Sequence, residues 1–202
     1  MGYYLRVLTR SAIGVPVSQL RQRLERDKIS AILEGDAPET TTWTRLSLKH
    51  LDGTPITDIE RNDVSPSRLG SEELKEFSEE MDECKPESGA RWVKEFLSAV
   101  KTIYAFQVLR GTEQGHGWDA IWALEAEVWH TLGGIFQSDN EGFSNEDGYQ
   151  IVSQFDRGAA GPWKMAVLGS DGRWTAFVME LGNPAHRAAF LAGRVPEGVR
   201  RL

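Results

Sequence analysis

Hydrophobic and polar positions in the first third of the chain predict strands around one helix. YYLRVLTR alternates and is rich in β-forming residues, which indicates a strand. VPVSQLRQRLERDK places Val17, Leu20 and Leu24 at helical spacing. ISAILEG is then predicted to be a strand, and TTWTRLSLKHLDGTPITDIERN a hairpin that turns at Asp52-Gly53. Together these elements form a predicted β-α-β-β(-β) module.

The same order of elements returns near residue 102. TIYAFQVLRG predicts a strand, WDAIWALEAEVWHTLG a helix, and GIFQSD and GYQIVSQF two further strands. GPWKMAVLGSDGRWTAFVMEL adds a hairpin through Asp171-Gly172, and the C-terminal residues predict a short helix and a frayed basic tail. Because the two sets match element for element, the sequence indicates an internal duplication.

Two amphipathic helices are predicted between the two sets, in SEELKEFSEEMDE and GARWVKEFLSAV. The chain is therefore expected to contain three parts. These are a β-α-β-β module over residues 1–64, a helical connection over residues 65–101, and a β-α-β-β-β module with a C-terminal helix over residues 102–202. The predicted class is α+β, with two pseudo-duplicated modules on antiparallel sheets that helices link and cover.

This element order is similar to that of two kinds of duplicated fold. One is the paired modules of the glyoxalase and bleomycin-resistance superfamily, and the other is the paired modules of GyrI-like small-molecule-binding domains. The resemblance implies a shape and does not imply an activity. The resemblance to glyoxalase-like enzymes would imply a metal site made of His and Glu residues on strands of both modules. The predicted first strands, YYLRVLTR and TIYAFQVLR, contain neither residue type.

Composition and charge narrow the classes of function. A hydrophobic content of 40% and seven Trp are enough for a packed core, and a net charge of −7 argues against nucleic acid and anionic membranes as partners. No apolar run approaches the roughly 18 residues of a membrane-spanning helix, and no signal-peptide pattern is found, so a cytoplasmic protein is expected. Cys84 lies among acidic residues that are expected to raise its thiol pKa.

Acidic and basic residues are distributed unevenly between the two predicted modules. Between Arg110 and Arg157 there are nine acidic residues and no Lys or Arg. The helix of the first module instead carries several basic residues, including Arg23 and Arg26. Both helices can simply present solvated polar faces, as surface helices usually do. Their opposite charge permits a homodimer without requiring one.

The acidic stretch SDNEGFSNEDG is first of all a pair of turns, because DNEG and NEDG are both turn signatures. The spacing of its acids does not fit an EF-hand loop, although a looser Ca²⁺ site is an alternative reading. The functional prediction is a surface that binds a basic protein partner. Its candidate residues are Asp139, Glu141, Glu146 and Asp147.

Catalytic and cofactor motifs are absent from the sequence. We find no nucleophile elbow, P-loop, dinucleotide fingerprint or paired-cysteine motif. Glu127 and His130 have a spacing that suits two metal ligands on one helical face, but such sites need a second copy of the pair. No catalytic residue, metal or cofactor is therefore assigned, and an enzyme is the least favoured class.

Two functional hypotheses follow. The leading one is a non-catalytic binding protein that engages a basic protein partner through the acidic stretch SDNEGFSNEDG, as immunity proteins that neutralise toxins do. The rival is a small-molecule module with an aromatic cleft between the two halves. Its candidate residues are Trp122, Phe136 and Trp163, with Glu180 or His50 as a polar anchor. For the Trp residues on the helix of the second module, WDAIWALEAEVWHTLG, burial in the core is the default interpretation.

Overall fold

The computed structural model describes residues 2–36, 40–65 and 69–202, which form five α-helices and eleven strands. The helices are α1 (Val17–Arg26), α2 (Leu69–Glu80), α3 (Glu87–Leu97), α4 (Gly117–Leu132) and α5 (Pro184–Leu191). The strands are β1 (Tyr3–Thr9), β2 (Ile32–Gly35), β3 (Arg45–Lys49), β4 (Pro55–Asp63), β5 (Thr102–Val108), β6 (Ile135–Ser138), β7 (Gly142–Ser144), β8 (Gln150–Ser153), β9 (Pro162–Leu168), β10 (Trp174–Glu180) and β11 (Arg200–Arg201). The α+β class is confirmed, and the strand pairing is mostly antiparallel.

Most elements lie where the hydrophobic pattern predicts them, and two strands do not. The strand β7 lies inside the stretch that the sequence assigned to turns. The strand β11 lies in the tail that was expected to fray, and it pairs with β10 through Phe177 opposite Arg201. Both strands are very short, so they carry no periodic pattern of their own.

The chain divides into two compact units, each built from two separate stretches of the sequence. The first unit comprises Met1–Ser71 and Val100–Gly134, and the second comprises Glu72–Ala99 and Ile135–Leu202. The predicted duplication is not confirmed by this arrangement, since β5 and α4 belong to the same unit as β1 and α1. The predicted boundaries of the modules stay a prediction.

The sheet of the first unit has the strand order β1-β5-β4-β3-β2. β5 is an interior strand, which pairs antiparallel with β1 on one side and with β4 on the other. Residues 102–106 of β5 are all buried. A nearly continuous apolar strand suits a central position, because both of its faces are covered and both of its edges are hydrogen-bonded.

Helices α1 and α4 of the first unit meet through apolar residues and one carboxylate. Val17, Leu20 and Leu24 are buried, as their spacing predicts. The carboxylate of Glu127 on α4 accepts hydrogen bonds from Gln19 at 2.8 Å and from Arg26 at 3.0 Å. The opposite charges of these two helices therefore meet inside one unit, and a homodimer stays a prediction.

The sheet of the second unit has the strand order β11-β10-β9-β8-β7-β6. Phe177 and Phe190 belong to a core cluster that also contains Met165 and Met179. Helix α2 packs on this unit through Phe77, whose ring lies 5.4 Å from that of Phe143 on β7. Among the described residues, no helix is both long and apolar enough to cross a membrane.

Two tight turns flank β7, which confirms the turn reading of the acidic stretch. The Glu141 amide donates to the Ser138 carbonyl at 3.1 Å, and Asn140 between them has φ +62°. At the second turn, the Gly148 amide donates to the Asn145 carbonyl at 3.0 Å. The Asn145 side chain is 1% exposed. Its carbonyl oxygen accepts the amide hydrogens of Asp147 and Tyr149 at 3.1 and 2.9 Å.

The substitution Asn145→Ala is expected to lower the free energy of unfolding by roughly 1–3 kcal/mol, because it leaves two backbone donors without their acceptor. Urea denaturation measures this change. The matched control is Asn140→Gly at the first turn, where φ is positive and glycine fits without strain. We expect the control to unfold at the wild-type urea concentration or above it. Unchanged stability of the Asn145 variant would show that the side chain does not hold the turn.

The substitution Glu127→Gln tests the contact between α1 and α4. Burial favours the neutral form of Glu127, but hydrogen bonds from Gln19, Arg23 and Arg26 outweigh it and hold the pKa of the carboxyl below its usual value of 4.5. The carboxylate therefore stabilises the fold fully at pH values above the pKa that Glu127 has in the unfolded chain. This contribution is lost as the pH falls through the folded pKa.

At pH 7 we expect Glu127→Gln to lower the free energy of unfolding by roughly 1.5–3 kcal/mol, the value of hydrogen bonds to a charged group. The difference from wild type is expected to shrink in urea titrations below about pH 4.5, where the wild-type carboxyl also becomes neutral. Glu25→Gln on the exposed face of α1 is the control. A deficit that is the same at every pH would contradict the assignment.

Candidate functional site

The four predicted acidic residues form two pairs at opposite ends of β7. Asp139 and Glu141 lie half-buried at the first turn, whereas Glu146 and Asp147 are exposed at the second. A three-residue strand separates the turns by about 10 Å. The structure therefore places all four residues around one short strand, β7, and divides them into two sets.

The first pair lies beside a second acidic segment that the sequence prediction did not include. The backbone N–H of Gln154 donates to the backbone carbonyl of Glu141 at 2.9 Å. The side-chain Nε2 of Gln154 lies 3.3 Å from a carboxylate oxygen of Glu80. Glu80 ends α2, and the exposed Glu83 follows it closely. Since Phe77 also packs on Phe143, two contacts bring the end of α2 to this turn. We name Glu80, Glu83, Asp139 and Glu141 the acidic surface.

The net charge of the chain is concentrated in the second unit. That unit has seventeen Asp and Glu residues against eleven Lys and Arg, which gives a formal charge of −6. The first unit has thirteen against twelve, a charge of −1. Two lysines neutralise acids near α2, since Lys94 contacts Asp82 at 2.6 Å and Lys75 lies 3.7 Å from Glu79. No such ion pair joins Glu83 to the described residues.

Cys84 lies next to the acidic surface, on a cavity of about 510 Å³ in the second unit. Burial raises the pKa of its thiol, and the neighbouring carboxylates of Glu80 and Glu83 raise it further. The direction agrees with the prediction from sequence, although burial is the larger cause. A thiol with a raised pKa remains protonated at neutral pH, so Cys84 is poorly suited to act as a nucleophile.

The five residues predicted for an aromatic cleft are divided between the two units. Phe136, Trp163 and Glu180 belong to the second unit, and Trp122 and His50 belong to the first. Trp163 packs beside the core of its unit, with its ring 4.9 Å from that of Phe155. The carboxylate of Glu180 accepts the amide hydrogen of Gly182 at 3.1 Å and also that of Gly161. These contacts give Trp163 and Glu180 structural roles.

Trp122 is the residue of that set with the most open surroundings. Its side chain is 54% exposed, so the expectation that the Trp residues of this helix are buried is wrong for Trp122. The core-facing positions of α4 are taken by smaller residues such as Ile121 and Leu124. Trp118 lies under the Trp122 ring, with the ring centres 5.6 Å apart and the planes at 27°. The Trp118 indole N–H donates to Glu113 at 3.2 Å.

Two adjoining cavities beside Trp122 form what we name the first-unit groove. The larger has a volume of about 400 Å³ and includes Trp122, and the smaller has a volume of about 260 Å³ and includes His50. Both are lined by Lys28, Ile29 and His116, so the two cavities adjoin. The sequence prediction selected Trp122 and His50 here but did not select Lys28 and His116.

The histidines of the groove are held by short contacts. His50 Nε2 lies 2.8 Å from the Gly111 carbonyl, and His116 Nδ1 lies 2.9 Å from the Asp119 carboxylate. One contact is to a backbone carbonyl and the other is to a single carboxylate, so neither forms a cluster of metal-binding side chains. In the described part of the chain, no group of three or more His, Cys, Asp or Glu side chains is placed to hold a metal ion. Glu127, which has a metal-ligand spacing to His130, is instead engaged by α1.

Comparison with known proteins gives no further assignment. No protein-family model, no curated protein and no solved structure matches this chain.

Proposed function

We propose that this chain is a non-catalytic cytoplasmic binding protein whose acidic surface engages a basic protein partner. The observation that carries the proposal is the contact of Gln154 with both Glu141 and Glu80. This contact joins two acidic segments that lie far apart in the sequence. Glu146 and Asp147 extend the negative charge to the other end of β7.

Complementary charge on a hydrogen-bonded support favours such a partner. Carboxylates fixed at the end of a helix and on a hydrogen-bonded turn need little reordering when a partner arrives, so little conformational entropy is lost. Their combined field attracts Lys and Arg side chains, speeds association and favours one orientation. Immunity proteins that neutralise toxins use surfaces of this kind. The analogy concerns the complementary charge and does not imply a shared family.

Neutralising the acidic surface is expected to abolish salt-sensitive capture of a basic protein. The variant combines Glu80→Gln, Glu83→Gln, Asp139→Asn and Glu141→Gln, and it is used as bait in lysate at low and moderate salt. Each exposed ion pair contributes roughly 0.2–1 kcal/mol, so the purified captured protein should bind this variant at least about fourfold more weakly. The wild type should lose its partner as salt rises.

The matched control changes the same amount of charge in the first unit, through Glu25→Gln, Glu34→Gln, Glu60→Gln and Glu113→Gln. It should capture the same basic protein as the wild type. A second variant, Glu146→Gln with Asp147→Asn, shows whether the far turn takes part. Equal capture by the neutralised variant and the control would contradict the proposal.

A second candidate function is a small-molecule-binding module, and the exposure of Trp122 beside a cavity favours it. An aromatic ring that is more than half exposed offers a face on which a planar ligand can stack. Two of the five predicted cleft residues, Trp122 and His50, line this one groove. The candidate site therefore lies within the first unit.

A panel of metabolites is expected to contain a compound that raises the melting temperature of the wild type by several degrees and leaves Trp122→Leu unchanged. Binding only to the folded state stabilises it by mass action. Leu51→Ala is the control, because Leu51 is 69% exposed in the same unit and lies outside both cavities. If no compound separates the wild type from Trp122→Leu, the groove is not the site of such a module.

A further inference from the structure

Lys28 has a backbone conformation that is normally reserved for glycine. It follows the last turn of α1 with φ +57°. The Ile29 amide donates to the Leu24 carbonyl at 2.9 Å, and the Lys28 amide donates to the Glu25 carbonyl at 3.0 Å. This pair of bonds is the Schellman motif, in which the residue at the position of Lys28 is left-handed and is most often glycine.

A lysine at this position is a cost to the fold. A side chain with a Cβ disfavours the left-handed region, and Lys has no short polar group that offsets this, unlike Asn or Asp. In the described part of the chain, the other residue besides glycine with positive φ is Asn140, which suits a turn. Backbone strain of this kind concentrates at functional sites, where the side chain has a use.

The charge of Lys28 is available, whereas the carboxylates around it already contact other side chains. Lys28 lines both cavities of the first-unit groove. Asp27 contacts Arg23 at 2.6 Å, and Asp119 contacts His116 at 2.9 Å. No ion pair joins Lys28 to any described residue. An anion that enters the groove would therefore meet a cation without a partner.

Trp122 supplies the second half of the site. Its ring covers that of Trp118 and remains 54% exposed, so a further planar ring can extend the stack. The larger cavity is lined by both Trp122 and Lys28. A ligand that stacks on Trp122 and forms an ion pair with Lys28 would combine a flat apolar part with a negative charge.

We propose that the first-unit groove binds a planar aromatic anion, with its ring on Trp122 and its carboxylate or phosphate at Lys28. The inference rests on the second candidate function and names the ligand class of that module. The acidic surface of the second unit is a separate proposal. Strain at Lys28 is explained if its side chain is kept for binding at the expense of stability.

The substitution Lys28→Gly is expected to change stability and binding in opposite directions. Glycine relieves the positive φ, so the melting temperature should rise by about 2–4 °C. Affinity for adenosine monophosphate or for benzoate, measured by calorimetry and by Trp fluorescence, should fall at least about tenfold. Lys28→Arg keeps the charge and should retain most of the affinity.

Adenosine and benzamide are the matched neutral probes, since each keeps the ring and lacks the negative charge. We expect both to bind the wild type at least tenfold more weakly than their anionic counterparts, and to be unaffected by Lys28→Gly. Trp122→Leu should weaken the binding of the anions while leaving the gain in melting temperature from Lys28→Gly intact. Binding of only adenosine monophosphate, or of only benzoate, would support the inference and assign the anion as phosphate or carboxylate.

Three outcomes would overturn the inference. The neutral probes could bind as tightly as the anions, Lys28→Gly could keep the wild-type affinity, or none of the four probes could bind. None of these outcomes would rule out a small-molecule-binding module. That second candidate function is tested separately by the metabolite panel with Trp122→Leu. A stabilising Lys28→Gly with unchanged binding would show that the left-handed lysine serves no ligand of this class.

Discussion

The burial of β5 is the constraint on which the arrangement of the first unit depends. Its residues 102–106 are all buried, so the backbone groups on both of its edges need strand partners. β1 provides one set and β4 the other. The chain that leaves β5 then forms a short 3-10 helix at Arg110–Glu113 and returns as α4 onto α1. The pairing of β5 thus fixes the point from which the chain continues to α4, and side chains such as Glu127 and Gln19 then hold α4 against α1.

That contact determines which charges remain available for binding. Glu127 satisfies Arg26 and Gln19, and Asp27 satisfies Arg23, so most of the basic character of α1 is used inside the unit. Lys28 stands apart at the end of α1, beside Trp122 and the histidines of the groove. In the second unit the balance is the reverse, because carboxylates exceed cations and several of them gather around Gln154. The two proposals thus concern different units and opposite charges, and they can hold independently.

Local signals in the sequence were sufficient for many features. The apolar spacing of Val17, Leu20 and Leu24 predicts α1, and the Asp-Gly pairs predict the hairpin turns at Gly53 and Gly172, which have positive φ. The direction of the Cys84 pKa follows in part from the acids that neighbour it in the chain. These features depend on residues within a few positions of one another, where backbone geometry and local charge decide the outcome.

The tertiary structure alone decided which elements are partners. Nothing in TIYAFQV states that it pairs with β1 and β4, since a strand's partners depend on burial over the whole sheet. The same holds for Glu127 against α1, for Glu80 beside the first acidic turn, and for Lys28 near Trp122. The sequence by itself therefore determined most of the elements, their turns and the chemical character of their faces. Because long-range packing selects among many compatible pairings, the division into units and the assembly of both candidate sites required the folded chain.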